Sequence, residues 1–287
     1  MLRRIRLYKV PSELLGIALV TVYGTLYTAG DAEYTFSIQS ISKRFTAALM
    51  VMDYQSTQTI VDKIVVEPTG QPFNSVIALE MIPKRTGNPL VNAGAITTVS
   101  YLHGSDPDEK FNRIRTFYGK LADAELMMME NIYISEATSN YRNRSLAFLL
   151  HSYEMMGADP MESVDVYTRQ CSIGVNAKQL AMMGASLANN GINPLSGEVL
   201  IDRAFIPQLL ALMTMEGLYD ESGLWAYTVG LPTKTGVGGG VLAVVPGELA
   251  IAVFSPPLNE AGNSVRGLKA IEFISKELNL NIFSRSD

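Results

Sequence analysis

Ser40 and Lys43 stand three positions apart in FSIQSISKRF, the stretch from Phe36 to Phe45. On a helix that spacing puts both side chains on one face, within reach of each other. A serine hydroxyl becomes a nucleophile when a base takes its proton. A lysine amine is such a base only when neutral, a state favoured by burial or a nearby positive charge. Phe36, Ile41 and Phe45 offer burial, and a helix start offers N–H groups and a dipole that stabilise developing negative charge. The N–H of Ser40 is then a candidate oxyanion donor. The plainer reading is that Ser40 or Ser42 caps a helix. Two further stretches bear on the choice. In KTGVGGG (234–240) a lysine precedes a glycine run, where backbone N–H groups can approach a substrate closely; the run also reads as a β-turn, and it lacks the glycine spacing of a phosphate loop. In NYRNRS (140–145), Tyr141-x-Asn143 falls at a helix start. His103 and His151 are the only imidazoles and sit in no ligand spacing, so neither a metal site nor a Ser-His-Asp triad is supported.

The elements that must position these groups follow from periodicity. Residues 15–23 and 25–28 read as strands around Gly24. A helical period runs from Ser40 to about Met52 through Ile41, Phe45, Ala48, Leu49 and Met52. EPTGQPFNS (67–75) is loop chemistry. From 92 to about 217 the pattern is mostly helical, broken at HGSDPD, GADP and NNGINPLSG. VLAVV-PG-ELAIAVF (241–254) reads as a hairpin turning at Pro246-Gly247, and NSVRGLKAIEFISKELN returns to helical period through Val265, Leu268, Ile271 and Ile274. This order predicts an α/β (α+β) chain. One antiparallel sheet is built from both chain ends and flanked by helices, and a central lobe is all helical. The sheet part takes residues 1–75 and 218–287 and the helical part 76–217, with the site in the cleft between them.

Composition bounds the rest. The 287 residues are 47% hydrophobic and 18% charged, which fits a chain with a sizeable core. A net charge of −5 does not suggest a nucleic-acid surface. Cys171 is the lone cysteine, which excludes an intrachain disulfide and points to a reducing, cytoplasmic setting. MLRRIRLYKVPSELLGIALVTV mimics a signal peptide, but Pro11 and Glu13 interrupt it and its apolar part reads well as a strand. No apolar run reaches the length of a membrane span.

Ser-x-x-Lys, Tyr-x-Asn and Lys-Thr-Gly, in that order, resemble the active-site set of penicillin-recognising serine enzymes. They make acyl transfer through Ser40 the leading reaction class. A longer series contains these motifs: GDAEYTFSIQSISK, EPTGQPFNS, NPLVNAGAI, SEATSNYRNRS, YTRQCSI, LANNGINPLSGEVL, GLYDESG, VGLPTKTGVGGGVLAVVP and SPPLNEAGNSVRG. It resembles the serine-dependent glutaminases of the bacterial and mitochondrial type, from about Leu15 to Ile282. That family is related in architecture to the serine β-lactamases and penicillin-binding proteins, so the resemblance implies a β-lactamase-like fold.

The resemblance also implies roles. Ser40 attacks the side-chain amide carbon of L-glutamine and Lys43 activates it. Tyr219 and Tyr167 match the family's proton-transfer and pocket tyrosines, and the N–H of Val237 joins that of Ser40 in the oxyanion hole. Asn92, Glu136 and Asn143 recognise the substrate, Glu136 pairing with the α-ammonium and the two amides with the α-carboxylate. Gln39 lines the pocket, whereas Tyr141 is not a position where the pattern requires tyrosine. Glu136 and Asn143 share a face only if the segment between them is helical, and TSNY reads more like a turn. No cofactor and no metal are implied, and the expected assembly is a homodimer or homotetramer. The competing readings are a penicillin-interacting hydrolase and a catalytically weak glutamine binder. Two departures stand out. Thr235 replaces the usual serine after the lysine. The family's leading helix and YIP segment find no match ahead of Lys9-Val10, with Arg3 where the segment's tyrosine would be, so either the chain is a shortened member or its start lies upstream of Met1.

Overall fold

In Gly16–Thr21 (β1) buried residues alternate with half-buried ones, the mark of a strand with one face in a core. Gly240–Val245 (β6) and Leu249–Phe254 (β7) are buried at every position, as strands covered on both faces must be. With Leu26–Gly30 (β2) and Thr233–Thr235 (β5) they form an antiparallel sheet in the order β2-β1-β7-β6-β5. Gly16 and Gly240 both stand opposite Phe254, so the two chain ends meet in the middle of the sheet. The structure is a computed structural model and describes residues 10–68, 71–81 and 86–284. The expected departure at Arg3 therefore lies outside the described residues, as do Thr69 and Gly70 of the 67–75 loop.

The period-2 rule divides the side chains of the central strands. Leu242, Val244, Ala250 and Ala252 join the larger core with Ala177–Ala188 (α9), whereas Val241, Ala243, Ile251 and Val253 pack on the opposite face with Ile271 of Val265–Glu277 (α12). Helix α9 lies so close to the sheet that a Cβ on Gly184 would fall 2.6 Å from Leu242 Cδ1. This helix comes from the middle of the sequence, so the larger core runs without a break from the sheet into the helices.

Ser42–Tyr54 (α1) lies among helices drawn from the middle of the chain. It packs against Asn92–Ser100 (α4), Pro107–Ala122 (α5), Pro160–Cys171 (α8) and Ile206–Glu216 (α10). The helices numbered between these are the short Gln58–Lys63 (α2) and Ile77–Met81 (α3), then Glu130–Ser139 (α6) and Tyr141–Ser152 (α7); Ser222–Thr228 (α11) follows α10. Ten residues of α1 are buried, polar ones included. Thr46 Oγ1 lies 2.6 Å from Tyr118 Oη and donates to Gln170 Oε1 at 2.8 Å, and Tyr118 Oη donates to the Ser42 carbonyl at 2.7 Å. These bonds tie α1 to α5 and α8. Arg44, also buried, has its guanidinium 4.7 Å from the Phe45 ring centroid, and its three nitrogens make no hydrogen bond.

The α+β architecture expected from the sequence is present, with its sheet drawn from both chain ends. Two features carry no periodic signal. Phe36–Ser37 (β3) pairs with Gly174–Val175 (β4), and α6 and α7 are separated by the single residue Asn140. No helix among the described residues is long and apolar enough to cross a membrane.

Candidate active site

Ser40 sits in a short 3-10 turn, Gln39–Ile41, that runs straight into α1. The first helical bond of this turn is Ile41 N–H to Ile38 O at 3.2 Å. The Ser40 N–H precedes it and is one of the donors that a helix start leaves without an intrahelical acceptor. Gln39 holds φ +47, a left-handed conformation uncommon for a side-chain-bearing residue and a form of strain often found at functional sites. Two bonds brace the turn: Ile38 N–H donates to Ile173 O at 2.8 Å, and Ser42 Oγ donates to Gln39 O at 2.6 Å.

The glycine run between β5 and β6 lies directly against this turn. A Cβ on Gly238 would come within 2.4 Å of Ser37 O, and one on Gly236 within 3.0 Å of Ile38 O. The run is therefore glycine-rich because its backbone is pressed onto the segment carrying the nucleophile candidate. Val237 is the one side chain inside it, and its N–H donates to no backbone carbonyl of the described residues.

One small cavity is lined by Gln39, Ser40, Asn92, Glu136, Asn143, Tyr167, Thr168, Cys171 and Val237. Five different parts of the chain supply these residues: the 3-10 turn, α4, the α6–α7 pair, α8 and the glycine run. The α6–α7 break at Asn140 brings Glu136 and Asn143 to the same cavity from two helices. Lys43 reaches the cavity wall through Asn92. Its Nζ donates to Asn92 Oδ1 at 2.7 Å and to Leu90 O at 3.2 Å. Tyr167 Oη donates to the same Oδ1 at 3.2 Å, and Asn92 Nδ2 donates to Asn143 Oδ1 at 2.9 Å. Asn92 is thus the hub joining Lys43, Tyr167 and Asn143, a role the sequence reading did not give it.

Tyr219 is buried and also left-handed, at φ +58. Its turn is held by Ser222 Oγ, which donates to Tyr219 O at 2.8 Å and accepts from Leu218 N–H at 3.0 Å. The Tyr219 ring lies 4.6 Å from that of Phe73, and Lys234 Nζ lies 4.5 Å from its centroid. A Cβ on Gly262 would be 3.5 Å from Val237 Cγ1 and 3.8 Å from Tyr219 Cε2, so these two residues flank one point. Lys234 is fully buried and donates to Gly217 O and Thr235 O, both at 2.9 Å. Burial above all pushes its pKa well below that of an ordinary lysine.

Seven of the nine residues singled out in the sequence line the cavity, and Lys43 and Tyr219 stand beside it. Tyr141, which completes the penicillin-type motif, is 70% exposed and takes no part in the cavity. The sequence reading missed Thr168 and Cys171 as cavity lining. It also missed Phe73, whose ring lies 6.0 Å from Lys43 Nζ and packs on Tyr219. Phe73 falls in EPTGQPFNS, a stretch that carried a match but no periodicity.

The family model of glutaminase matches residues 5–283. The chain belongs to the glutaminase family. A glutaminase of Colwellia psychrerythraea is 50% identical over 277 residues, covering 96% of this chain and 89% of that protein. The solved structure of a probable glutaminase, ybaS, superposes with a TM-score of 0.94 at 48% identity, covering 96% of this chain and 89% of that one. The solved structure of Mglu in its glutamate form superposes with a TM-score of 0.93 at 36% identity, covering 98% of this chain and 65% of that one.

The hub role of Asn92 gives a sharp expectation for this enzyme. Asn92→Asp keeps the shape but puts a carboxylate where Lys43 Nζ donates at 2.7 Å. That charge favours the ammonium form of Lys43. The variant should lose about a hundredfold in rate near neutral pH and recover part of it as the pH is raised. A pH–rate profile that matches the parent's would show that the protonation of Lys43 does not limit the reaction.

Proposed function

We propose that the enzyme hydrolyses the side-chain amide of L-glutamine to L-glutamate and ammonia through a covalent glutamyl-serine intermediate on Ser40. Neutral Lys43 takes the Ser40 proton as Oγ forms a bond to the amide carbon. The carbonyl oxygen becomes an oxyanion that accepts from the N–H groups of Ser40 and Val237. As the C–N bond breaks, the proton passes from Lys43 to the departing nitrogen, with the Tyr219 and Tyr167 phenols as relay, and ammonia leaves. A water then attacks the ester by the same route in reverse, giving glutamate and free Ser40. No cofactor takes part.

Recognition of the free amino acid falls to groups on the helical side of the cavity. The Glu136 carboxylate pairs with the α-ammonium, and the Asn143 and Asn92 amides bond the α-carboxylate. Gln39 closes the wall beside the nucleophile. The observation that carries the reading is the Lys43–Asn92–Tyr167–Asn143 network, which joins the candidate base to the substrate-recognition residues around the cavity that Ser40 lines. The glutamate form of Mglu supports it by relationship. The lone buried cysteine supports a cytoplasmic setting, and the family resemblance supports a homodimer or homotetramer.

Ammonia release from L-glutamine, with L-asparagine alongside, tests the reading. Release from glutamine and not from asparagine is expected. Binding of glutamine without release would replace the enzyme by a glutamine binder, and acylation of Ser40 by a labelled β-lactam would favour the penicillin-type reading.

A further inference from the structure

Two stretches of the chain, GLYDESG and SPPLNEAGNSVRG, contribute only Tyr219 to the mechanism above. In the structure they meet. Glu221 ends the 3-10 turn Tyr219–Glu221, two residues after the relay tyrosine. Asn259 and Asn263 lie in the loop between β7 and α12. The Glu221 carboxylate gathers both of their amides. Asn259 Nδ2 donates to Oε1 and to Oε2, each at 2.9 Å, and Asn263 Nδ2 donates to Oε2 at 2.5 Å. Asn263 Nδ2 also donates to Leu218 O at 3.2 Å, so one amide bonds the chain on both sides of Tyr219. The loop is closed on itself: Asn263 N–H donates to Asn259 Oδ1 at 2.9 Å, and Asn259 N–H donates to Asn263 O at 2.8 Å. Inside this closed turn stands Gly262, the point that Val237 and Tyr219 flank.

We propose that Glu221 is a positioning residue for the reaction. By holding the Asn259–Asn263 loop to the turn of Tyr219, its carboxylate fixes the phenol in place for proton transfer to the leaving nitrogen.

Tyr219 needs such a hold. A left-handed residue with a side chain persists only where its surroundings over-determine it. Ser222 Oγ braces the turn from within, and the Glu221 clamp braces it from a loop 38 residues further along the chain. A carboxylate suits this place because it is purely an acceptor when ionised. Asn259 Oδ1 is taken by Asn263 N–H, and Asn263 Nδ2 faces two acceptors, so both amides present N–H groups to Glu221 and neither can turn over. A glutamine there would set its own NH2 against that of Asn259. A misplacement of about 1 Å at a reacting group costs about a hundredfold in rate. Loosening the turn should therefore lower kcat. It should spare glutamine binding, which falls to Glu136, Asn92 and Asn143 on the helical side. The inference rests on the Tyr219 relay proposed above.

The test is kcat and KM for glutamine hydrolysis, with thermal melting to verify folding. Glu221→Gln should fall about tenfold or more in kcat, with KM within about twofold of the parent's. Asn259→Asp, which sets two carboxylates face to face, should fall comparably. The double variant Glu221→Gln/Asn259→Asp again puts a donor against an acceptor, with the total charge unchanged, and should return to within about threefold of the parent. On a Tyr219→Phe background Glu221→Gln should cost less than about twofold further, because the phenol it positions is already gone. A residue that only supported the fold would cost the same on either background. A folded Glu221→Gln at the parent kcat, a loss confined to KM, a double variant no faster than the single ones, or full additivity with Tyr219→Phe overturns the proposal. Asn259→Ala opens the clamp from the loop side and decides where Glu221→Gln does not fold, since a folded Asn259→Ala at the parent kcat overturns it too. Tyr219→Phe at the parent rate fails the relay reading and this proposal with it, an outcome distinct from an essential Tyr219 beside a silent Glu221.

Discussion

Ser40→Ala should abolish ammonia release from L-glutamine, with a fall in kcat of about ten-thousandfold or more. The substitution removes one oxygen from a 3-10 turn braced by Ile38, Ser42 and the glycine run, none of which depends on Ser40 Oγ. The fold and the cavity should persist, so KM or the affinity for glutamate should change little. The same separation identifies the chemical step. A variant that binds glutamate normally but makes no acyl-enzyme, followed by mass spectrometry after a rapid acid quench, places the missing bond at Oγ. Retention of even a hundredth of the parent rate would point to water attacking directly, with Ser40 as a bystander.

Arg44→Met should stabilise the protein by about 1–4 kcal/mol. At neutral pH the guanidinium is charged, since burial lowers its pKa only to about 9. It is shut away from water, its nitrogens lack hydrogen bonds, and contact with the Phe45 face offsets only part of that cost. Methionine keeps the length and flexibility of the side chain without charge or donors. The sign of the pH dependence follows from linkage. The folded-state pKa lies below the unfolded value of 12.5, so the cost is fully present below about 9 and is relieved as pH rises above it. The gap between variant and parent in urea denaturation should therefore be wide at pH 7 and narrower at pH 10. Destabilisation by Arg44→Met at pH 7 would mean that the guanidinium is satisfied by a bound water or ion and contributes to α1 packing.

Much of the architecture was readable because long elements carry a period. The 241–254 hairpin, the N-terminal hairpin and α12 show their apolar alternation or stripe directly, and the turns at Gly24 and Gly247 carry the residues such turns need. The β3–β4 pairing was not readable, since two residues hold no period. Ser40 was expected at a helix start. The extra 3-10 turn and the left-handed Gln39 before α1 lie against the glycine run, which is far away in sequence. The candidate site came into view through a chain-long resemblance, because no local pattern joins Ser40, Asn92, Glu136 and Val237. Glu221 shows why the remainder stayed hidden. In GLYDESG it reads as one charge in a polar turn, and only the approach of the Asn259–Asn263 loop gives its carboxylate partners.

The sheet also sets an order of events during synthesis. Strand β1 ends at Thr21, whereas its central partner β7 begins at Leu249. A ribosome adding roughly 5–20 residues per second takes on the order of ten to fifty seconds to make the chain between them. During that interval β1 and β2 have only each other, and an isolated hairpin is marginal at best in water. Helix α9 emerges before β6 and β7, its apolar face still waiting for them. The Ser40 turn is likewise without the glycine run until the ribosome has passed Gly240. The nascent enzyme is thus inactive and exposes unpaired strand to its neighbours until its last fifth is translated. A product truncated before β6 lacks both the middle of its sheet and a completed active site.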